Sequence, residues 1–268
     1  MSSLPEFDDP PVAEVVLGIQ FRQLFELRGL VLAPLRDRWR PLYPRIEEAP
    51  AIPPIVESDS PGMPQFQFNL VQMPTTRQLF LSETGDELIQ IQPDRFVVNW
   101  RAGDPPVRYP RYGYVRKIFE ERFRDFTEFV ESENLGEIDI TQVEVSYINA
   151  IKLADNDTGR IESFLKGWSG TQGHHLGDPQ QARLTLTFPI VGIGKAPVRL
   201  YVEVSPAKKA TGESVVFFTL TIRGNPGGRS VGEAMKFMDE AHEHVVLSFT
   251  ELTNESMHHA WGRRHDNP

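Results

Sequence analysis

The sequence predicts an α+β protein of two similar halves, each an antiparallel sheet covered by one long helix, in the order β-α-β-β-β-α. Three observations carry this. Apolar side chains recur at every second residue in several short runs joined by turn signals. They recur at every third or fourth residue in two long segments. After residue 136 the same succession of elements begins again. A long helix laid on a sheet is a stable two-layer solution, because the helix buries the sheet's apolar face. Helix-grip and saddle-like folds are built this way.

Residues 1–11 are polar and acidic, close with Pro10-Pro11, and read as a flexible arm. Residues 12–136 form the first half. Its opening run, 12–21, is apolar and β-branched and predicts a strand, with Glu14 as the odd residue. Leu32, Leu35, Trp39 and Leu42 then have helical spacing. Residues 44–64 hold six prolines and are expected to be an irregular connection. A meander follows. Residues 65–70 alternate, as do Leu79 and Leu81, and a turn at Thr84-Gly85-Asp86 leads to residues 88–92. After Pro93-Asp94, Phe96, Val98 and Trp100 share one face against Arg95, Val97, Asn99 and Arg101. Residues 112–134 form an amphipathic helix whose stripe includes Val115, Ile118, Phe119, Arg122, Phe126, Phe129 and Val130. Gly136 closes it.

Residues 137–262 repeat the order. Residues 140–153 predict a strand with Val143, Val145 and Tyr147 on one face, and 161–168 a short helix. A glycine-rich loop at 169–179 precedes alternating runs at 183–188, 198–204 and 216–222. Ser230 and Glu233 form a capping-box pair at the start of the last long helix. Thr253 is expected to cap a final short helix at 254–261, and 263–268 read as a polar tail. The first strands of the halves share a local pattern, Ala13-Glu14-Val15 and Val143-Glu144-Val145, and this predicts a structural duplication.

Composition sets bounds on function. The chain has 268 residues, 40% hydrophobic and 24% charged, which is ordinary for a globular protein. A net charge of −9 leaves no uniformly basic footprint for nucleic acid or anionic membrane. With no cysteine, thiol nucleophiles and thiolate metal sites are excluded. The start carries no signal-peptide pattern and no run approaches a membrane span, so the expected location is cytoplasmic.

Three segments carry a family resemblance: Pro10-Pro11-Val12-Ala13-Glu14-Val15-Val16, then Phe96-Val97-Val98-Asn99-Trp100-Arg101, then Phe249-Thr250-Glu251-Leu252-Thr253 followed by Trp261-Gly262. In these the chain resembles a sporadically distributed bacterial family of about 260-residue proteins of unknown function. The resemblance spans the whole chain. It implies no activity, cofactor or site residue. The patchy distribution points to mobile or defence-related gene neighbourhoods, which is an association and not a mechanism.

Candidate chemistry is sparse. His174 and His175, with Asp178, sit in the glycine-rich loop, where two imidazoles and a carboxylate can hold a metal or exchange protons; a polar connecting loop is the plainer alternative. Glu14 and Glu144 interrupt apolar strands. If buried, either carboxylate is a general-base candidate, whereas the alternation against Val15 and Val145 places both on a solvent face. His242 falls on the apolar stripe of the last long helix and reads as a core histidine with a satisfied hydrogen bond. His258, His259 and His265 read as surface residues. Arg36, Arg38, Arg40 and Arg45 surround Trp39 and Tyr43, and Arg108, Arg111, Arg116 and Lys117 lie among Tyr109, Tyr112 and Tyr114. Basic groups interleaved with aromatics suit nucleic acid, and equally an ordinary solvated helix face. No HExxH, Walker A or GxSxG motif occurs, and no metal or cofactor is expected.

The expectation is a non-enzymatic binding or regulatory protein acting through a protein partner, in a defence or toxin–antitoxin setting. An enzyme or small-ligand carrier with a cleft between sheet and helix is the first alternative. Nucleic-acid binding through Arg108, Arg111, Tyr112, Arg116 and Lys117 is the second. Self-association stays open, and a membrane partner is not expected.

Overall fold

The computed structural model describes residues 4–55, 57, 76–103, 105–152, 161–168, 175, 181–208 and 212–264. The protein is α+β, with four α-helices and a large antiparallel sheet among the described residues. In chain order the elements are β1 (Glu6–Phe7), β2 (Val12–Phe21), α1 (Ala33–Trp39), β3 (Arg45–Pro50), β4 (Thr76–Leu81), β5 (Glu87–Gln92), β6 (Arg95–Arg101) and α2 (Tyr112–Ser132). Then come β7 (Ile140–Lys152), β8 (Leu184–Ile190), β9 (Lys195–Lys208), β10 (Ser214–Asn225), α3 (Val231–Leu252), α4 (Glu255–Ala260) and β11 (Arg263–Arg264).

Nine strands form one sheet in the order β3-β4-β5-β6-β2-β7-β10-β9-β8, every neighbouring pair antiparallel. The central pair, β2 and β7, joins strands from both halves of the sequence. Period-two alternation then sorts the side chains. Val15, Leu17 and Ile19 of β2, Phe96, Val98 and Trp100 of β6, Val143, Val145 and Tyr147 of β7, and Phe218, Leu220 and Ile222 of β10 are all buried on one face. Both long helices lie there. Phe119, Phe123 and Phe126 of α2 close on Phe96, and Phe249 of α3 meets Phe218. The capping box at Ser230 and Glu233 starts α3.

Among the described residues no helix lies on the other face. Residues 51–55 and Glu57 lie across it as a strap, hydrogen-bonded to side chains of β5, β6, β2 and β7.

Several expectations are corrected. Residues 45–50 form strand β3 and not irregular chain. It is an edge strand, as is β8 with Pro189, and an edge position tolerates proline because one side of the strand needs no ladder bond. The helix expected at 161–168 is one 3₁₀ turn, Ile161–Ser163, after which Leu165 bridges Thr253. Thr253 does not cap α4; its hydroxyl donates back to the Phe249 carbonyl, and Asn254 is the N-cap. His258 is buried, its Nε2 against the Thr253 hydroxyl and its ring beside Phe7. Residues 6–7 and 263–264, assigned from sequence to the arm and the tail, pair as β1 and β11, and Phe7 packs edge-on against Phe249 and Trp261. The strand expected at 65–70 lies outside the described residues. No helix among the described residues is long and apolar enough to cross a membrane.

Candidate functional site

A cavity of about 490 Å³ opens on the helix face, between β7, α3, the start of α2 and the N-terminal residues 4–12. Strand β7 brings Tyr147 and Asn149 to it, because both share the inward face with Val143 and Val145. Helix α3 brings His242, Val245, Val246 and Phe249, positions three and four apart and therefore on one stripe. Tyr109 and Arg111 come from the segment leading into α2, and Tyr112 from its first residue. The outer wall is a clasp of the two chain ends, where the Arg264 guanidinium bridges Asp8 at 2.8 Å and Glu6 at 3.2 Å.

The walls are mostly apolar, but one chain of polar groups runs along them. The hydroxyls of Tyr109 and Tyr147 lie 3.1 Å apart, and the Tyr147 hydroxyl is 2.9 Å from His242 Nδ1. The His242 ring lies flat on Tyr112, with centroids 3.9 Å apart and planes 9° from parallel. Burial lowers the His242 pKa to about 4, against the opposing pull of Asp239, so the imidazole is neutral at physiological pH. Burial pushes the Tyr109 phenol up to about 12 and the Tyr147 phenol well above its ordinary range, so both stay protonated. The neutral imidazole carries its proton on Nε2 when the Tyr147 hydroxyl donates to Nδ1, and on Nδ1 when the tyrosine oxygen accepts. No described residue bonds to Nε2.

Asn149 is 2% exposed and lines the same cavity. Its Nδ2 donates to the Phe218 carbonyl at 3.0 Å.

The helices that frame the cavity are tied together at its edge. Asp239 of α3 receives Arg116 through Nε at 2.6 Å and Nη2 at 3.0 Å, and Tyr112 through its hydroxyl at 2.7 Å. A two-point guanidinium–carboxylate pair fixes orientation as well as distance. Arg111, the N-cap of α2, stands at φ 79 and ψ 158, a region that side chains other than glycine rarely enter. Strain of about 1–3 kcal/mol is typical of such positions, and it gathers at sites where the surrounding structure imposes it.

The sequence-predicted candidates separate. Tyr112 and Arg111 line the cavity. Arg108 and Arg111 donate to the Asp8 main-chain carbonyl at 3.0 and 3.3 Å, and Arg116 is committed to Asp239. Lys117, with a 74% exposed side chain, lies 3.9 Å from Glu121. Glu14 and Glu144 are remote from the cavity, on the helix-free face. Glu144 pairs with Arg223 at 2.6 Å, and Glu14 accepts from Asn99 Nδ2 at 2.6 Å. Of the loop candidates, His175 is exposed, while His174 and Asp178 lie outside the described residues. Among the described residues no group of three or more His, Asp or Glu side chains is placed to hold a metal ion. The placing of His242 on the apolar stripe agrees with its hydrogen bond to Tyr147, but the stripe opens into a cavity there.

Sequence reasoning missed Tyr147, Asn149 and the partnership of both with His242. The one local signal is Asn149 itself, an amide in the middle of an apolar strand.

Glu14 supplies a test of its own. Burial raises its pKa, with the Asn99 bond and Arg101 opposing. A carboxyl whose folded pKa lies above its unfolded one destabilises the fold at pH values above both, and the effect vanishes below both. Glu14→Gln keeps an acceptor for Asn99. The variant is expected to melt higher than wild type at pH 7, with the gain shrinking towards zero in acid; an equal gain at both pH values would contradict the assignment.

Comparison with family models, with curated proteins and with solved structures finds no match to this chain.

Proposed function

We propose that this protein binds a small, largely apolar molecule in the cavity between β7, α2 and α3, acting as a sensor or carrier. The single observation that carries this is the Tyr109–Tyr147–His242 chain, with the Asn149 side chain beside it, along the mostly apolar wall of the cavity. Ligand pockets have this form: apolar walls of a few hundred Å³ and a few convergent polar groups that fix orientation. A guest can donate one hydrogen bond to the Asn149 side-chain oxygen and exchange a second with His242 Nε2.

An enzyme is the second reading, favoured by the Tyr147–His242 contact, since a neutral imidazole beside a phenol can pass a proton to a bound substrate. Binding without turnover separates the two. A regulatory role through a protein partner remains part of the proposal, the cavity's guest setting the state that the partner reads. We also carry forward membership of the sporadically distributed bacterial family and a defence-related setting, both on the three resembling segments alone. Nucleic acid ranks lowest, because Arg108, Arg111 and Arg116 are engaged within the chain.

A duplicated, helix-grip-like architecture fits this function. In each half the first strand lies at the sheet centre beside the last strand of that half, β2 next to β6 and β7 next to β10, with the others stepping outwards. The cavity then falls where the two halves' helices meet.

The test uses 8-anilinonaphthalene-1-sulfonate as an apolar probe. The wild-type chain is expected to bind one equivalent with enhanced fluorescence. Val245→Trp, which fills the cavity, is expected to weaken binding at least tenfold, and Asn149→Leu to weaken any natural guest recovered by native mass spectrometry. Undiminished probe binding by a folded Val245→Trp variant would remove the proposal.

A further inference from the structure

The helix-free face holds a second built site, independent of the cavity. Gln92, Arg95, Gln20 and Gln142 stand directly opposite one another across four adjacent strands, β5, β6, β2 and β7. Each reaches the main chain of the strap. Gln92 takes both polar groups of one residue, accepting from Ile52 N at 3.0 Å and donating to Ile52 O at 2.9 Å. Gln20 does the same with Ile55, at 3.3 Å in both directions. Arg95 donates to the Pro53 carbonyl at 3.3 Å, and Gln142 donates to Ile55 O at 3.0 Å while accepting from Glu57 N at 3.4 Å.

The spacing explains the fit. Pro53 and Pro54 hold φ near −65° and bias the residues before them to extended ψ, which is the polyproline II region. That helix has three residues per turn and rises about 9.3 Å from residue 52 to residue 55. The step from β5 across β6 to β2 is two inter-strand spacings, about 9.6 Å. Residues 52 and 55 therefore present the same edge to glutamines two strands apart, and the proline between them, having no N–H, asks only for the donor that Arg95 provides. Beyond the glutamines lies an anchor for an acidic side chain. Glu57 receives Arg199 at 2.7 Å and the Tyr201 hydroxyl at 2.6 Å, with Arg223 at 3.7 Å.

The strap is an imperfect occupant of this lane. Three of its hydrogen bonds to Gln20 and Gln142 are 3.3 Å or longer, and Glu57 Oε1 is buried with no hydrogen-bond partner. A cavity of about 210 Å³ remains beside Ile52 and Ile55, lined by Val16, Gly18 and Val97 together with Gln90, Asn99 and Glu144, with room for larger side chains. Side chains that read main-chain groups tolerate a change of sequence, so a better-filling segment can take the place of Ile52–Ile55 and Glu57.

We infer that this lane is a docking site for a partner protein's polyproline II segment of the pattern apolar-Pro-Pro-apolar-x-acidic, occupied by the chain's own Ile52–Ile55 and Glu57 until the partner displaces them. The recognition unit is the row of amides and Arg95, and the anchor is Arg199, Arg223 and Tyr201.

A fluorescein-labelled heptapeptide with the sequence of residues 51–57 is titrated into the full-length chain and followed by anisotropy. In the wild type the strap competes, so binding is weak. Glu57→Ala and, separately, Pro53→Gly/Pro54→Gly release the strap and are expected to tighten binding at least tenfold, because the fraction of open lanes rises. Adding Arg199→Ala to either variant, or replacing the peptide's glutamate by alanine, is expected to abolish it. Absence of saturable binding in a strap-released variant that still melts cooperatively overturns the inference, and so does binding indifferent to Arg199. If neither variant folds, the wild type decides: saturable binding at millimolar peptide that is lost with the alanine peptide supports the site, and none rejects it. Strap-dependent dimerisation of the released variants would make a second copy the occupant and end the claim for a foreign partner.

Discussion

Truncating Phe96 to alanine is expected to lower the unfolding free energy by about 4 kcal/mol and the melting temperature by roughly 10 °C. Phe96 is fully buried and is the hub of the aromatic cluster that joins the first half of the sheet to its helices. Its ring centroid lies 5.2 Å from those of Phe123 and Phe126, 5.6 Å from Phe119 and 6.5 Å from Trp39. Each such pair contributes about 0.5–1.5 kcal/mol beyond area burial, without strict additivity, and the void left among four rings cannot collapse easily. Leu247→Ala, at a residue 47% exposed on α3, is the control and is expected to change stability by less than about 0.5 kcal/mol. Chemical denaturation of both variants measures the contrast. Equal losses would mean that the helices are not held to the sheet through Phe96.

The second large effect is the dependence of stability on pH. Burial lowers the His242 pKa to about 4 from its ordinary 6.5. Above pH 6.5 the imidazole is neutral in both states and contributes nothing. Between pH 6.5 and 4 the unfolded chain binds a proton that the folded chain refuses, so stability falls as the solution is acidified. The slope contributed by this one group approaches 1.4 kcal/mol per pH unit, and its whole contribution is about 2–3 kcal/mol after allowing for its partial exposure. His258, whose pKa is lowered by burial and by Arg263 and Lys166, adds a change of the same sign, and Glu14 opposes both. The difference between wild type and His242→Gln isolates the first group, because glutamine keeps an acceptor for the Tyr147 hydroxyl but does not titrate. Denaturation curves at intervals from pH 7 to pH 4 are expected to show a shallower decline in the variant. Parallel curves would place the acid sensitivity elsewhere. In wild type the same protonation is expected to weaken binding of the proposed guest, since it charges a half-buried group in the cavity wall.

Much of the fold was legible because local pattern and burial agreed. Phe96, Val98 and Trp100 alternate against Arg95, Val97 and Asn99, and the structure turns the first set to the helices and the second to the helix-free face. The stripe from Val115 to Val130 is the buried side of α2, and Ser230 with Glu233 starts α3. The proline-rich connection was read less well. Edge strand β3 has few apolar residues, and its Pro50 is admissible because one side of it has no neighbour among the described strands, which is a property of the sheet and not of the segment.

The candidate site was legible only in fragments. Tyr109 and Tyr112 stood out as aromatics among basic residues, and His242 as a histidine on an apolar stripe. Their bonds run to Tyr147 and Asp239, between 38 and 127 residues away along the chain. No local spacing encodes such partners, and the same holds for the amide row that grips the strap.

By itself, then, the sequence determined the α+β class, the faces of the strands and long helices, and the absence of thiol chemistry, because periodicity and composition act within a few residues. Strand order, the cavity at the meeting of α2 and α3, and the lane across the opposite face were decided by tertiary structure alone, because each depends on which distant strands become neighbours and on what their paired registers bring within hydrogen-bonding reach.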